Sequence, residues 1–361
     1  MANITIIGGG SWGLAMAFML HKNGNTVRVW EYNPISVDKL IKTRMNEDYL
    51  KGIMFSEDIY FTNDMSDVFS VGALRAGVAQ GHFVQGLHRG TSCRGCTGSE
   101  ILIIAVPSHV YRETVKNVSK YIGNSNFKAI VNLTKGLEEG SLKRMSEILQ
   151  EELSEVYKNK VCTLSGPSHA EEVAKGIPTV VVVAGENLDV LQYVQNIFSN
   201  ERFRVYTSND IVGVEIGAAV KNVIAIAAGV IDGLGFGDNT KGALLTRALV
   251  EIKRLGIVLG ANEETFSGLS GLGDLITTAI SGHSRNRHVG YNLGKGMKLD
   301  DITKNMVMIA EGVNTTKNIR ELKEKRGVSM PITEEMYQML FNDKEPIEAL
   351  RSLMDRELKD E

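Results

Sequence analysis

Residues able to handle a nucleotide, a proton and a phosphate recur along this sequence. Gly8-Gly9-Gly10-Ser11-Trp12-Gly13 spells G-x-G-x-x-G directly after the apolar run at residues 4–7. In such a pattern the glycines serve a tight turn, close approach of backbone to a pyrophosphate, and close packing of the next helix on the strand. The start of that helix offers unpaired N–H groups and a positive dipole to phosphates. Glu31 follows the second apolar run, where an acid bonds a ribose hydroxyl. A carboxylate there repels a 2′-phosphate and leans the pocket toward NAD, but Arg28 and Tyr32 stand close enough in sequence to leave NAD against NADP open.

Four further islands have the residue types of a catalytic and anion-binding centre. Lys135 lies in Thr134-Lys135-Gly136, just past an apolar run, and Gly166-Pro167-Ser168-His169 follows another. Lys221 interrupts a long apolar stretch in Val220-Lys221-Asn222. Burial lowers a lysine pKa from its free value of about 10.4, which makes a proton donor usable near neutrality. Gly271-Leu272-Gly273-Asp274 leads on to Ser284-Arg285-Asn286-Arg287, where a guanidinium flanked by hydroxyl and amide donors suits a phosphate or carboxylate. Taken singly, each island has an ordinary alternative: a solvated loop lysine, a helix-capping turn, a snorkelling lysine or an exposed charge cluster. His169, His283 and His288 receive no role.

The elements that must position these groups follow from periodicity. Apolar runs of strand length at residues 4–7, 27–30, 101–106, 129–133 and 179–183 alternate with helix-period segments. This alternation predicts a parallel sheet covered on both faces. After about residue 190 the strand-like runs fade and helical patterns dominate. The expectation is an α/β Rossmann-like doubly wound parallel sheet over 1–190, the dinucleotide-binding domain, followed by an all-α substrate domain over 191–361.

Composition narrows the class. The 361 residues carry 40 Lys+Arg against 43 Asp+Glu, a net charge of −3, which gives no electrostatic case for nucleic acid or an anionic membrane. The stretch at residues 211–231 is long enough to span a bilayer, but Glu215, Lys221 and Asn222 would be costly in hydrocarbon, so a buried helix is expected instead. The N-terminus has no basic segment leading into an apolar one, so no secretory signal is read there. Three cysteines make no disulfide framework, and a reducing, cytoplasmic setting fits.

In their order the islands are specific. The glycine loop, Ala105-Val106-Pro107-Ser108, Thr-Lys-Gly, Gly-Pro-Ser-x-Ala-Glu, Val-Lys-Asn, Gly-Leu-Gly-Asp-Leu, Ser-Arg-Asn and Glu311-Gly312-Val313 run collinearly along nearly the whole chain. This series resembles the bacterial-type NAD(P)-dependent sn-glycerol-3-phosphate dehydrogenases. The resemblance implies reversible reduction of dihydroxyacetone phosphate by NAD(P)H, for glycerophospholipid synthesis, in a homodimer. It implies Lys221 as the catalytic proton donor. Lys135, Gly166, Ser168, Lys221, Asp274, Ser284, Arg285 and Asn286 are implied at the substrate. Gly8, Gly10, Ser11, Trp12, Gly13, Glu31, Tyr32, Lys135, Ala170, Arg285, Ile309 and Glu311 are implied at the cofactor. Competing expectations are another two-domain hydroxyacid or hydroxyacyl dehydrogenase, and a nucleotide-binding relative without turnover.

Residues 71–99 depart from this pattern. They hold seven glycines and two of the cysteines, with no Asp, Glu or Lys, and read as an insertion between a helix and a strand. His82, His88, Cys93 and Cys96 have ligand-like types, but their spacing fits no known zinc pattern, and no metal is predicted.

Overall fold

A computed structural model describes residues 1–70, 98–123, 125–304, 306 and 310–358. Most of the expected insertion, with its His and Cys residues, lies outside the described residues; only Gly98 and Ser99 fall within them.

The strands are β1 Asn3–Ile7, β2 Thr26–Trp30, β3 Met45–Asn46, β4 Leu50–Met54, β5 Tyr60–Thr62, β6 Ile101–Ile104, β7 Ala129–Asn132, β8 Val161–Ser165, β9 Thr179–Gly185 and β10 Phe203–Ser208. Among them runs α1 Ser11–Lys22, α2 Pro34–Thr43, α3 Met65–Val68, α4 Tyr111–Ile122, α5 Met145–Glu152, α6 Ala170–Ala174 and α7 Leu188–Phe198. Eight strands form one sheet in the order β10-β9-β8-β7-β6-β1-β2-β5, while β3 and β4 make a small ribbon. Strands β1 and β6 are apolar except at Asn3 and Thr5 and, from Ile4 onward in β1, buried on both faces, as a sheet sandwiched between helices requires.

Six neighbouring strands run parallel, so the chain leaves each of them at the same edge of the sheet. The glycine loop, Glu31, Pro107, Lys135 and Gly166 therefore emerge side by side. The β8–β9 pair is antiparallel, a departure from the all-parallel expectation. The segment between them folds the short helix α6 over α1 and re-enters the sheet at the edge it left.

The sheet also extends past the expected division. Residue 190 falls within α7, and β10 pairs in parallel with β9 before the helical half begins at Ile211. This edge strand buries Phe203 and Val205 and exposes Arg204 and Tyr206, a period-two alternation rather than a solid apolar run.

The helical half comprises α8 Ile211–Leu234, α9 Asp238–Val258, α10 Asp274–Ile280, α11 Arg285–Gly294, α12 Leu299–Lys304, α13 Glu311–Arg326, α14 Pro331–Phe341 and α15 Pro346–Met354. Helix α8 is long and apolar enough by composition to cross a membrane, yet 89% of that stretch is buried by the protein's own elements. It is the axis on which the other helices pack. Its contact with α11 is backbone to backbone: a Cβ on Gly290 would lie 1.9 Å from the Ile226 carbonyl oxygen, and one on Gly229 would lie 2.1 Å from that of Arg287. This close crossing sets the start of α11, with Ser284, Arg285 and Asn286, against the Lys221 region of α8.

Gly290→Ala should cost about 3 kcal/mol, because the new methyl overlaps main-chain atoms that cannot move independently. Gly242→Ala, in exposed helix with no neighbour near the new atom, should instead gain about 1 kcal/mol from helix propensity. Urea denaturation of the two variants checks both signs.

Candidate active site

The glycine loop has the geometry that its sequence implies. Gly8 has a positive φ of 117°, and a Cβ there would lie 2.4 Å from the Ala105 carbonyl oxygen. A Cβ on Gly13 would lie 1.9 Å from the Gly8 carbonyl oxygen, so this position holds α1 tight against the loop. Gly10 has open space on its Cβ side, where a pyrophosphate can approach the start of α1. Glu31 follows β2 and turns back to the loop: Oε2 accepts from Gly9 N at 2.8 Å and Oε1 from Asn33 N at 3.0 Å. These features fit a dinucleotide cofactor. Tyr32 beside it is 80% exposed.

The chemical centre is built on Asp274, which is 1% exposed at the start of α10. Its Oδ2 accepts from Lys135 Nζ at 2.8 Å, and its Oδ1 accepts from Lys221 Nζ. Lys221 also donates to Thr278 Oγ1 at 2.8 Å, one turn along α10. Ser165 Oγ reaches Asp274 Oδ2 at 3.4 Å. Burial lowers the Lys221 pKa to about 7, opposed by Asp274 and reinforced by the positive charge of Lys135. Burial alone would raise the Asp274 carboxyl, but the two ammonium groups outweigh it and hold it below its usual value. The outcome is an ionised carboxylate beside an amine poised to give or take a proton near neutrality.

A cavity of about 340 Å³ opens over this centre. Gly10, Ser11, Trp12 and Ala170 line it on the nucleotide side, Lys135 and Lys221 on the chemical side. Ser284, Arg285, Asn286 and Glu311 line it from the helical half. The structure thus brings ten of the expected site residues to one cavity. Ser284 Oγ accepts from Arg287 N at 3.2 Å and caps α11. Asn286 donates to Asn222 Oδ1 at 3.0 Å and accepts from Gly312 N at 2.9 Å, fixing its amide. Glu311 accepts from Ser108 Oγ at 2.6 Å, tying α13 to the turn after β6.

The remaining expected residues lie elsewhere. Asp274 is behind the cavity wall, with both oxygens engaged by lysines. Gly166, at a φ of 152°, packs under Val181, and Ser168 donates to the Gly166 carbonyl at 3.2 Å; neither lines the cavity. Gly8, Gly13, Glu31 and Tyr32 are likewise outside its wall. Ile309 lies outside the described residues. Among the described residues no group of three or more His, Cys, Asp or Glu side chains has the arrangement of a metal site.

Sequence reasoning assigned no role to Thr278 or Asn222. The first is four residues beyond Asp274 on one helix face and the second adjoins Lys221, so helical spacing from the recognised residues was the available signal. His169 lines the cavity too; burial, then the charge of Lys221, lowers its pKa.

A Rossmann-type sheet joined to a helical half, with an acid-held lysine pair facing a dinucleotide loop, defines a two-domain nicotinamide-dependent dehydrogenase. The family described as NAD-dependent glycerol-3-phosphate dehydrogenase matches with its N-terminal part over residues 3–78 and 92–191, and with its C-terminal part over residues 210–351. The chain belongs to this family. It is 46% identical over 362 aligned residues to glycerol-3-phosphate dehydrogenase [NAD(P)+] of Geobacillus thermodenitrificans, covering 100% of this chain and 97% of that protein. The protein of the same name from Prosthecochloris aestuarii is 44% identical, with 99% of each covered. Among solved structures, glycerol-3-phosphate dehydrogenase (gpsA) of Coxiella burnetii superposes with a TM-score of 0.86 at 32% identity, over 98% of this chain and 99% of that one. The family match passes over residues 79–91, within the glycine-rich stretch.

Proposed function

We propose that the protein is an NAD(P)-dependent glycerol-3-phosphate dehydrogenase, which reversibly reduces dihydroxyacetone phosphate to sn-glycerol 3-phosphate. The observation that carries this reading is one buried carboxylate, Asp274, holding Lys221 and Lys135 at the wall of a cavity that the glycine loop also lines. The nicotinamide cofactor, when bound, supplies or accepts the hydride. Gly10, Ser11 and Trp12 would receive its pyrophosphate and neighbouring groups on the loop that Gly8 and Gly13 shape, Glu31 would hold its ribose, and Ala170, Arg285 and Glu311 would complete its site. Tyr32 and Ile309 are assigned to it on the resemblance alone.

During reduction the Lys221 ammonium faces the ketone oxygen, stabilises the negative charge growing there, and protonates it. In the reverse direction its neutral amine takes the proton from the hydroxyl. Asp274 aims Lys221 through a direct hydrogen bond and remains ionised throughout, so its role is to hold the lysines rather than to touch the substrate. Lys135 adds a second positive charge beside the reacting oxygen and reaches both substrate and cofactor. Ser284, Arg285 and Asn286 hold the phosphate, which positions the carbonyl at a distance from the binding charge. Gly166 and Ser168 shape the turn behind the substrate. The reading carries with it a homodimer, supported by the family resemblance, and a cytoplasmic setting, supported by the cysteine content. Light scattering tests the dimer.

Purified protein should oxidise NADH or NADPH only when dihydroxyacetone phosphate is added, and inertness toward that ketone with both cofactors would refute the reading. Because reduction needs protonated Lys221, its kcat should fall as pH rises through about 7, while oxidation of glycerol 3-phosphate should rise over the same interval. Lys221→Ala should lower kcat by roughly 100- to 10,000-fold, the range for a lost general acid, with substrate KM changing far less. Arg285→Ala should act mainly on KM for dihydroxyacetone phosphate, raising it roughly 10-fold or more for one charged hydrogen-bonding partner.

A further inference from the structure

Glu215 is a buried carboxylate for which the chemistry above has no use. It lies on α8 less than two turns before Lys221 and is 4% exposed. Its Oε1 accepts from Ser146 N at 3.0 Å, from Thr163 Oγ1 at 3.1 Å and from Asn132 Nδ2 at 3.4 Å. Its Oε2 accepts from Ser146 Oγ at 2.5 Å and Arg144 Nη1 at 2.9 Å. None of these donors belongs to the helical half. Asn132 ends β7, Thr163 lies in β8, and Arg144 and Ser146 begin α5.

The network continues toward the second lysine. Asn132 Nδ2 also donates to the Thr134 carbonyl at 3.0 Å, and its Oδ1 accepts from Thr134 N at 2.9 Å. Thr134 Oγ1 donates to the Val106 carbonyl at 2.6 Å, beside the cofactor-facing Pro107 turn. One carboxylate is thus bonded, directly or through Asn132, to the helix that carries Lys221 and to the turn that carries Lys135. An apolar contact would join helix to sheet without the desolvation cost of a buried ion pair. What the ion pair adds is direction, because each donor fixes an angle as well as a distance. Burial raises the Glu215 carboxyl, against the pull of Arg144, Ser146 and Thr163.

We propose that Glu215 is a positioning residue for the reaction: it sets α8 in register with the ends of β7 and β8, so that Lys221 and Lys135 meet Asp274 together opposite the nicotinamide. The proposal rests on the reading of the site as a dihydroxyacetone phosphate reductase. It distinguishes Glu215 from Glu251, a comparably buried carboxylate on α9 that accepts from Ile332 N at 2.7 Å and from Thr333 at the start of α14, so that its bonds join two helices of the helical half rather than helix to sheet.

The test compares Glu215→Gln, Ser146→Ala and Glu251→Gln in the full chain, all checked for folding by thermal melting. Misplacement of a reacting group by about 1 Å costs up to roughly 100-fold, so Glu215→Gln should lower kcat by roughly 10- to 100-fold, with KM for NADH within about twofold of wild type. The deuterium isotope effect with 4-deuterated NADH should rise as hydride transfer becomes rate-limiting. Glu251→Gln should leave kcat and the isotope effect unchanged. Equal turnover in Glu215→Gln and Glu251→Gln, or a loss in Glu215→Gln without a larger isotope effect, overturns the role. Where Glu215→Gln fails to fold, Ser146→Ala decides, since it deletes one donor: lower kcat with a raised isotope effect supports the proposal and unchanged values overturn it. A wild type inert toward dihydroxyacetone phosphate brings down the reaction and the proposal together, whereas an active wild type with undiminished Glu215→Gln turnover brings down the positioning role alone.

Discussion

The site depends on a single carboxylate shared between two ammonium groups. Asp274, Lys135 and Lys221 come from three separate parts of the chain, and two lysines at this depth would repel each other without the anion between them. Deep burial drives the amine of Lys221 toward its neutral form, and Asp274 restores enough proton affinity to leave it near the balance point. The sheet edge, the core helix α8 and the short helix α10 must all meet at that carboxylate. Much of the architecture can be understood as the means of bringing them there.

The two halves solve different parts of this problem. Six parallel strands deliver the glycine loop, Glu31, the Pro107 turn and Lys135 to one edge, since parallel strands all end on the same side. The helical half delivers Lys221 and the anion-binding start of α11 through a crossing so close that glycines are required on both helices. Packing is what makes the polar site permissible: α8 is buried from Gly213 to Ile231, and its polar residues there each find a partner, Glu215 at Arg144 in the sheet domain, Lys221 at Asp274 and Asn222 at Asn286.

Much of the fold was legible because strand-length apolar runs alternate with helical periods, and the glycine loop and Glu31 fall in the expected order. Lys221 was conspicuous as a lone cation in an apolar helix. The pairing of Asp274 with two lysines was not legible, because these partners lie 139 and 53 residues away and no local pattern records which oxygen meets which ammonium. Strand β10 escaped notice because it is an edge strand with alternating exposure, and its Arg and Tyr dilute the apolar signal. The reversal at β9 was hidden for a related reason. Direction depends on where the link refolds, and the composition of Thr179–Gly185 is the same for either orientation.

The position of Gly98 and Ser99 has a bearing on how this protein can be lengthened. The chain re-enters the described fold here, with Ser99 Oγ 2.7 Å from Thr5 Oγ1 and Glu100 N donating to the Asn3 carbonyl at 2.7 Å, both toward the beginning of β1. That is the edge of the sheet opposite the glycine loop, the lysines and the cavity. A loop attached at this end of β6 would have the body of the strand between its attachment and the cofactor turn, and the entropy cost of a longer loop grows only slowly with length. The fold therefore has a front that carries the chemistry and a back at which the chain enters β6, which makes this junction the natural place to graft a label or a second domain.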